Sequence, residues 1–410
     1  MAPHAASDTF GWMVAPFTKE HFFEHYYEQK YLHIERNDPG YYTDLLSLDS
    51  LSSLMYSQVL RYPDVRMVNS RKDDIKSEEY TGQSSRIRVE KVLSYFAEGA
   101  TVIFSMLHDY LPSLGLFIDS LASELQQRFQ TNIYLTPPNA QGFKVHFDTH
   151  DVFILQTEGS KVWKLYDTPI ALPLKSQEYK AESFEPGEMT AEITLRKGDM
   201  LYIPRGLMHE AVATDECSMH ITTGLIGYTW TELVVETMLR LSKEHVELRR
   251  NLPLALHSAQ PAEEVLRQLD AIKEIISNGF DLNRSAKNFR DELLNLQKPN
   301  IKSAFQTVLR LPSITADTEV LVRESIMFDV QESEEKAVVE LLGNEVEFPA
   351  FVLPILTFLQ ENVGTPFAIK NLPDCMDEAG KLVLVKRLIR EGLIALAEME
   401  VPVKSPQLSF

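Results

Sequence analysis

Residues 146–166 read HFDTHDVFILQTEGSKVWKLY, and both the fold and the chemistry turn on this stretch. His146 and Asp148 are two apart. Alternate side chains of an extended strand point the same way, so these two can share a face. Val152-Phe153-Ile154-Leu155-Gln156 is β-branched and aromatic and reads as a buried strand. Glu158-Gly159-Ser160 is a turn signal, and Lys161-Val162-Trp163-Lys164-Leu165-Tyr166 then alternates as a return strand. Further along, Arg196-Lys197-Gly198-Asp199 reads as a turn. Met200-Leu201-Tyr202-Ile203 reads as a short apolar strand stopped by Pro204. His209 follows, 61 positions after Asp148 (209 − 148). Two ligand-type side chains at the mouth of one strand, with a third near the mouth of a later one, is how an antiparallel barrel builds a metal site.

Two imidazoles and one carboxylate form the donor set that holds non-haem Fe(II) on one face and leaves the opposite positions open for a co-substrate and O2. An H-x-D is common in any long chain, and His209 taken alone is an ordinary loop histidine. The strands and turns around them make iron the better reading.

Composition sets the bounds. A chain of 410 residues has room for two or three domains, and 44% hydrophobic with 24% charged residues is ordinary for a globular protein. The net charge of −19 disfavours bare nucleic acid and anionic membrane as partners and tolerates basic ones, although solubility alone also accounts for it. Cys217 and Cys375 are the two cysteines, so no disulfide framework or cysteine-based zinc site is implied. A reducing, cytoplasmic setting is expected. Met1 to Phe10 lacks the pattern of a signal peptide, and no apolar run is long enough to span a bilayer.

Residues 13 to about 60 read as helical and amphipathic, with a helix start at Phe17-Thr18-Lys19-Glu20. His21 and His25 have the i,i+4 spacing of a helical metal pair, but their aromatic neighbours favour packing or surface roles. Residues 65 to about 230 are rich in short β runs. Tyr110–Gln130 interrupts them as a helix with Leu111, Leu114, Leu116, Phe117, Leu121 and Leu125 on one stripe. Residues 230–310 read as helical: Thr231–Arg250 is amphipathic, and Pro261 opens a segment with Val265, Leu266, Leu269, Ile272 and Ile276 on one face. Such apolar helices need cover, from the barrel or from a second copy of the chain. Residues 330–403 run helix, short strand, helix, strand, a winged-helix-like order. The one obvious basic cluster there, Lys386, Arg387 and Arg390, favours a structural or protein-binding role over DNA.

Asn132–Phe143 leads into His146-Phe147-Asp148, Ile154–Tyr166 follows, and Gly198-Asp199-Met200-Leu201-Tyr202-Ile203-Pro204-Arg205-Gly206 leads to His209. This block resembles the ribosomal oxygenase group of JmjC (cupin-like) 2-oxoglutarate oxygenases, densely over about 130–224 and sparsely outside. The resemblance implies an α+β fold with a double-stranded β-helix (JmjC/cupin jelly-roll) core and an N-terminal helical lead over 1–230. A helical dimerisation domain over 231–320 and a winged-helix-like domain over 321–410 complete it. It implies Fe(II) held by His146, Asp148 and His209, with 2-oxoglutarate and O2 as co-substrates. Lys161, 13 after Asp148 (161 − 148), stands where the family places a basic residue on the far carboxylate of 2-oxoglutarate. Asn132 and Tyr134 match positions that contact or line that pocket. Gly224 departs from the pattern, since some members carry a serine there; Thr222 could supply the missing hydrogen bond. His220 reads as a core or supporting histidine, and His150 as lining the substrate entrance or facing solvent.

The activity so implied is hydroxylation of a side-chain carbon, the β-carbon of Arg or His, in a ribosomal protein or another polypeptide, by a homodimer. A hydroxylase of small peptides or natural products uses the same chemistry, as does a histone demethylase, for which no reader module is visible. A non-catalytic cupin-like scaffold is the reading from a different class.

Overall fold

The computed structural model describes residues 8–70, 75–181, 183–252, 263–296, 303–333 and 335–400. Helices α1 (Thr9–Val14) and α2 (Lys19–His25), strand β1 (Leu32–Ile34) and helix α3 (Leu48–Ser57) come first. Strand β2 (Val65–Val68), helices α4 (Ser77–Tyr80) and α5 (Val89–Ala97), strand β3 (Thr101–Ser105) and helix α6 (Pro112–Leu125) follow. A run of strands comes next: β4 (Arg128–Thr136), β5 (Asp151–Glu158), β6 (Ser160–Tyr166), β7 (Met189–Arg196), β8 (Met200–Ile203), β9 (Met208–Ala213) and β10 (Ser218–Ile226).

These strands make two antiparallel sheets. The larger has the order β1-β8-β5-β10-β4-β3-β2 and the smaller β7-β6-β9. Strand β5 is central to the larger sheet and buried on both sides. Its Phe153 and Leu155 join an outer core with Phe10, Phe22, Leu114, Phe117 and Leu121 of the helices. Its Val152 and Ile154 join an inner core with Trp163, Leu165, Ile193, Leu195, Leu201 and Ile203 between the sheets. A strand feeding two cores has no polar face, which is why it reads as one apolar run.

The expected return of β6 onto β5 does not occur. Strands β8 and β10 already hold both edges of β5, and β6 pairs with β7 and β9 instead. The turn between them therefore carries the chain from one sheet to the other, the jelly-roll crossing. Gly159 makes the turn at φ 56°, and a Cβ there would lie 1.9 Å from the Cys217 carbonyl oxygen. A turn between two alternating strands looks the same in sequence whether the strands pair or part.

Two other expectations are corrected. Residues 13–60 are not all helical, because β1 pairs with β8 at the sheet edge. Three residues carry no periodicity, so only that long-range partner defines them. The helix expected over 110–130 ends at Leu125; residues 128–130 already belong to β4 and pair with β10. Thr18 does cap α2, accepting from the His21 amide. His21 and His25 stack at 4.4 Å, and the His25 Nδ1–H donates to the His21 carbonyl at 3.1 Å, a packed pair.

Contacts divide the chain into two units, Gly227–Leu296 and the remainder. The smaller contains α7 (Trp230–Glu244), α8 (Glu263–Gly279) and α9 (Leu282–Leu296). Thr229 and Glu232 form a capping box at the start of α7. Pro261 lies outside the described residues. On α8, Val265, Ile272 and Ile276 are half-buried while Leu266 and Leu269 are exposed.

The C-terminal part of the larger unit has its own core, which begins at Leu311 and Ile314 after helix α10 (Ala304–Arg310). Strand β11 (Glu319–Val322) precedes an antiparallel meander of β12 (Phe328–Glu332), β13 (Lys336–Leu341) and β14 (Asn344–Pro349). Helix α11 (Leu353–Glu361), β15 (Phe367–Ala368), helix α12 (Glu378–Arg390), β16 (Ile394–Leu396) and helix α13 (Ala397–Glu400) complete it. Strand β11 lies between β15 and β16. Both cysteines are free, and among the described residues no helix is long and apolar enough to cross a membrane.

Candidate metal centre

His146 and Asp148 sit in the connection between β4 and β5, outside any regular strand. The extended geometry comes from a two-way backbone bridge to the start of β9: His146 N–H donates to the His209 carbonyl at 3.0 Å, and His209 N–H returns to the His146 carbonyl at 2.8 Å. Phe147 turns the other way and is buried against Tyr179 and Phe184, at centroid distances of 5.5 and 5.1 Å. The Gly206 amide holds the Asp148 carbonyl at 2.9 Å. Alternation, anchored at both ends, leaves His146 and Asp148 facing His209.

The three side chains offer donor atoms within 4.8 Å of one another. His209 Nε2 is 3.8 Å from Asp148 Oδ2, and the two imidazole centroids are 4.6 Å apart. Each ring is oriented by its other nitrogen: His146 Nδ1–H donates to the Lys144 carbonyl at 2.9 Å and His209 Nδ1–H to the Leu207 carbonyl at 3.0 Å. A carbonyl only accepts, so both rings carry the proton on Nδ1 and present the Nε2 lone pair. This is the support that metal-ligating histidines require.

Burial, with His146 beside it, pushes His209 down to about 4. Burial alone would raise Asp148, but His146, His209 and His150 outweigh it and hold the carboxyl below its ordinary value. A neutral imidazole and an ionised carboxylate are the states in which these groups bind a cation.

The same cavity is lined by Lys161, Tyr134, Thr101, Trp163, His220 and Thr222. Lys161 projects inward from β6 and is 4% exposed. Its Nζ donates to Thr136 Oγ1 at 3.2 Å, and burial pulls its pKa down to about 7. Among the described residues no carboxylate pairs with it. His220 Nδ1 and Trp163 Nε1 are likewise buried without partners. The donor set thus fits a cation beside an anionic ligand: two nitrogens and a carboxylate at one end, unmet N–H groups at the other.

Tyr134 lines the cavity and stacks on His220 at 5.0 Å. Asn132 shares that face of β4 two residues away but does not line the cavity. Gly224 is explained by His150: a Cβ at Gly224 would lie 2.7 Å from His150 Cδ2, so the missing side chain makes room for that imidazole. Sequence reasoning missed Thr136 and Thr101. Thr136 has the same strand parity as Asn132 and Tyr134 and was findable; Thr101, on the neighbouring β3, carried no local signal.

Residues 112–233 match the JmjC domain family. Over its length the chain is similar to the bifunctional lysine-specific demethylase and histidyl-hydroxylase NO66 of Dictyostelium discoideum, 28% identical across 93% of this chain and 81% of that one. It is also similar to ribosomal oxygenase 1 of Rattus norvegicus, 30% identical across 60% of this chain and 42% of the relative. Among solved structures, Escherichia coli ribosomal oxygenase YcfD superposes with a TM-score of 0.53 at 18% identity, over 93% of this chain and 98% of that one. Residues 112–233 are thus similar to JmjC domains, and the relatives matched along more of the chain are named as histidyl-hydroxylases and ribosomal oxygenases. At that identity YcfD speaks for the fold; it has also been solved with cobalt and 2-oxoglutarate. The JmjC domain match spans β4 to β10, so every cavity-lining residue except Thr101 lies within it.

Proposed function

We propose that this protein is an Fe(II)- and 2-oxoglutarate-dependent oxygenase that hydroxylates a side-chain carbon of a polypeptide, the β-carbon of His or Arg in a ribosomal protein being the first candidate. The observation that carries the reading is one cavity with the His146–Asp148–His209 donor set beside a buried lysine that has no counter-ion among the described residues. When bound, the iron and the keto acid supply the oxidising chemistry: O2 and 2-oxoglutarate are consumed, succinate and CO2 are released, and a C–H bond becomes C–OH.

The chain's own residues do the placing. His146 and His209, through Nε2, and Asp148, through its carboxylate, would hold the metal from one side. Lys161 would fix the far carboxylate of the co-substrate, where a charge-assisted hydrogen bond in a dry pocket is strongest. Tyr134 is assigned to the same pocket, while Asn132, on the same face of β4, stands outside its lining. Val152, Ile154, Trp163 and Ala211 line it with apolar surface and exclude water. A scaffold protein has no use for a buried cation, whose desolvation is costly.

The catalytic domain is assigned to residues 1–230, a dimerising helical domain to 231–320 and a winged-helix-like domain to 321–410, in a cytoplasmic homodimer. The test is succinate formation from 2-oxoglutarate with Fe(II), together with mass spectrometry of candidate polypeptides for a gain of one oxygen. Turnover is expected in the wild type and lost by at least about 100-fold in His209→Ala and Asp148→Ala. Turnover absent from the wild type would favour a scaffold, product found only on small molecules would favour a tailoring enzyme, and formaldehyde release from methyl-lysine peptides would favour demethylation.

A further inference from the structure

Strand β5 opens on Asp151, three residues after Asp148 (151 − 148), and its carboxylate is almost wholly buried. Donors from β8 and the residues just after it meet that carboxylate. The Tyr202 hydroxyl donates to Oδ1 at 2.6 Å, Arg205 Nη1 lies 3.4 Å from Oδ2, and the Arg205 backbone amide also hydrogen-bonds to it. The same Arg205 Nη1 lies 2.6 Å from Glu28 Oε1, and the Glu28 amide donates to the Tyr202 hydroxyl at 3.0 Å. Glu28, Arg205, Asp151 and Tyr202 thus close a ring. Glu28 enters it at φ 56°, a left-handed backbone that residues other than glycine rarely adopt, and the bond to Tyr202 holds it there.

The ring sits on the segments that carry the metal-type donors. Gly206, next to Arg205, holds the Asp148 carbonyl through its amide at 2.9 Å, and His209 follows four positions after Arg205 (209 − 205). The chain that bears His146 and Asp148 is therefore tied to the stretch 205–209 by the His146–His209 bridge, by the Gly206 amide and by Asp151 on Arg205. The first two ties are backbone contacts. The third depends on side chains, and Glu28 anchors it from outside residues 112–233, the stretch similar to JmjC domains.

We propose that Asp151 and Arg205 are positioning residues for the metal centre, and that Glu28 couples the N-terminal lead to that centre by orienting the Arg205 guanidinium. The inference rests on the metal-binding reading of His146, Asp148 and His209 and goes beyond it, because it assigns a role to residues outside the donor set. The Arg205 side chain is 13% exposed and is held between two carboxylates. In so dry a place charge-assisted contacts fix direction as well as distance. Without the Asp151 charge the guanidinium is drawn to Glu28 alone, and the backbone at Gly206 loses the side-chain tie that keeps it against Asp148.

The test uses the full chain with Co(II) in place of iron. It reads the Co(II) affinity and the visible absorption of the bound ion, which follows the geometry of its ligands, at a temperature where circular dichroism shows each variant folded. Asp151→Asn keeps the shape and removes the charge. It is expected to weaken Co(II) by about 10- to 100-fold, the range for groups that orient metal ligands, and to shift the absorption bands. Glu28→Gln, at a half-buried position, is expected to give a smaller loss in the same direction, and it carries the comparison should Asp151→Asn not fold. Ile355→Val, in the separate C-terminal core, lowers stability without touching the ring and should keep the wild-type affinity and bands. Wild-type affinity and bands in both ring variants, even with lower thermal midpoints, overturn the assignment, as does an equal loss in Ile355→Val. A loss in Asp151→Asn with none in Glu28→Gln overturns the coupling to the lead. A wild type that binds no Co(II) overturns the metal-centre reading, and this inference with it.

Discussion

Lys161 governs how the cavity responds to pH. Its pKa is drawn from 10.5 to about 7 by burial. Between those values the unfolded chain carries a proton on Lys161 that the folded, ligand-free chain lacks, so stability rises with pH across the window. Lys161→Met should remove that rise, seen as thermal midpoints that no longer climb between pH 7 and 10 relative to wild type. Co-substrate binding runs the other way. A carboxylate needs the ammonium form, so 2-oxoglutarate affinity should fall above about pH 7, by up to about tenfold per unit. Binding at pH 8 should draw a proton from the buffer; heats that do not depend on the buffer's ionisation enthalpy would contradict it.

Gly224 makes a second residue-scale point. In the sequence it looked like a lost serine, but the structure shows the space filled by His150. Gly224→Ser should displace that ring and cost about 1–3 kcal/mol by overpacking, read from the urea midpoint, instead of improving co-substrate binding.

At the scale of elements, the decisive feature is the passage from β5 to β6. Both strands were legible from residue types, and so was the turn at Gly159. Their separation into two sheets was not, because it depends on β8 and β10 taking the edges of β5 first. Gly159→Ala should be among the more damaging small substitutions: a left-handed backbone costs about 1–2 kcal/mol in an L-residue, and the new methyl meets the Cys217 carbonyl. A loss above about 2 kcal/mol is expected in chemical denaturation. The small change in urea midpoint typical of a surface loop would show that the crossing tolerates a side chain.

The connection holding His146 and Asp148 teaches the same lesson in reverse. Alternation predicted a shared face, and the face exists, yet no regular strand produces it. The bridge to His209 does, so the residue proposed as third ligand helps to set the geometry of the other two.

At the scale of the whole molecule, the helical unit 227–296 leaves an apolar surface uncovered. Trp230 is 80% exposed, Leu239 61% and Leu282 64%. Leu239 shares a groove with the exposed Val235, and these exposed apolar side chains are the basis for the proposed homodimer. Sedimentation velocity should give a dimer for the wild type and a monomer for Leu239→Glu. A wild type that stays monomeric at tens of micromolar removes the proposal.

What the sequence determined by itself was local and chemical. His146, Asp148 and His209 were nameable as candidates because metal chemistry restricts the residue types that serve and because strand and turn signals act over a few neighbours, whereas Lys161 was reached only through the family resemblance. The partition of the strands into two sheets, the three-residue β1, the end of α6 and the Thr101–Thr136 pair were decided only in the folded chain. Each depends on a partner distant in sequence, and hydrogen bonding and burial between distant segments leave little trace in either segment alone.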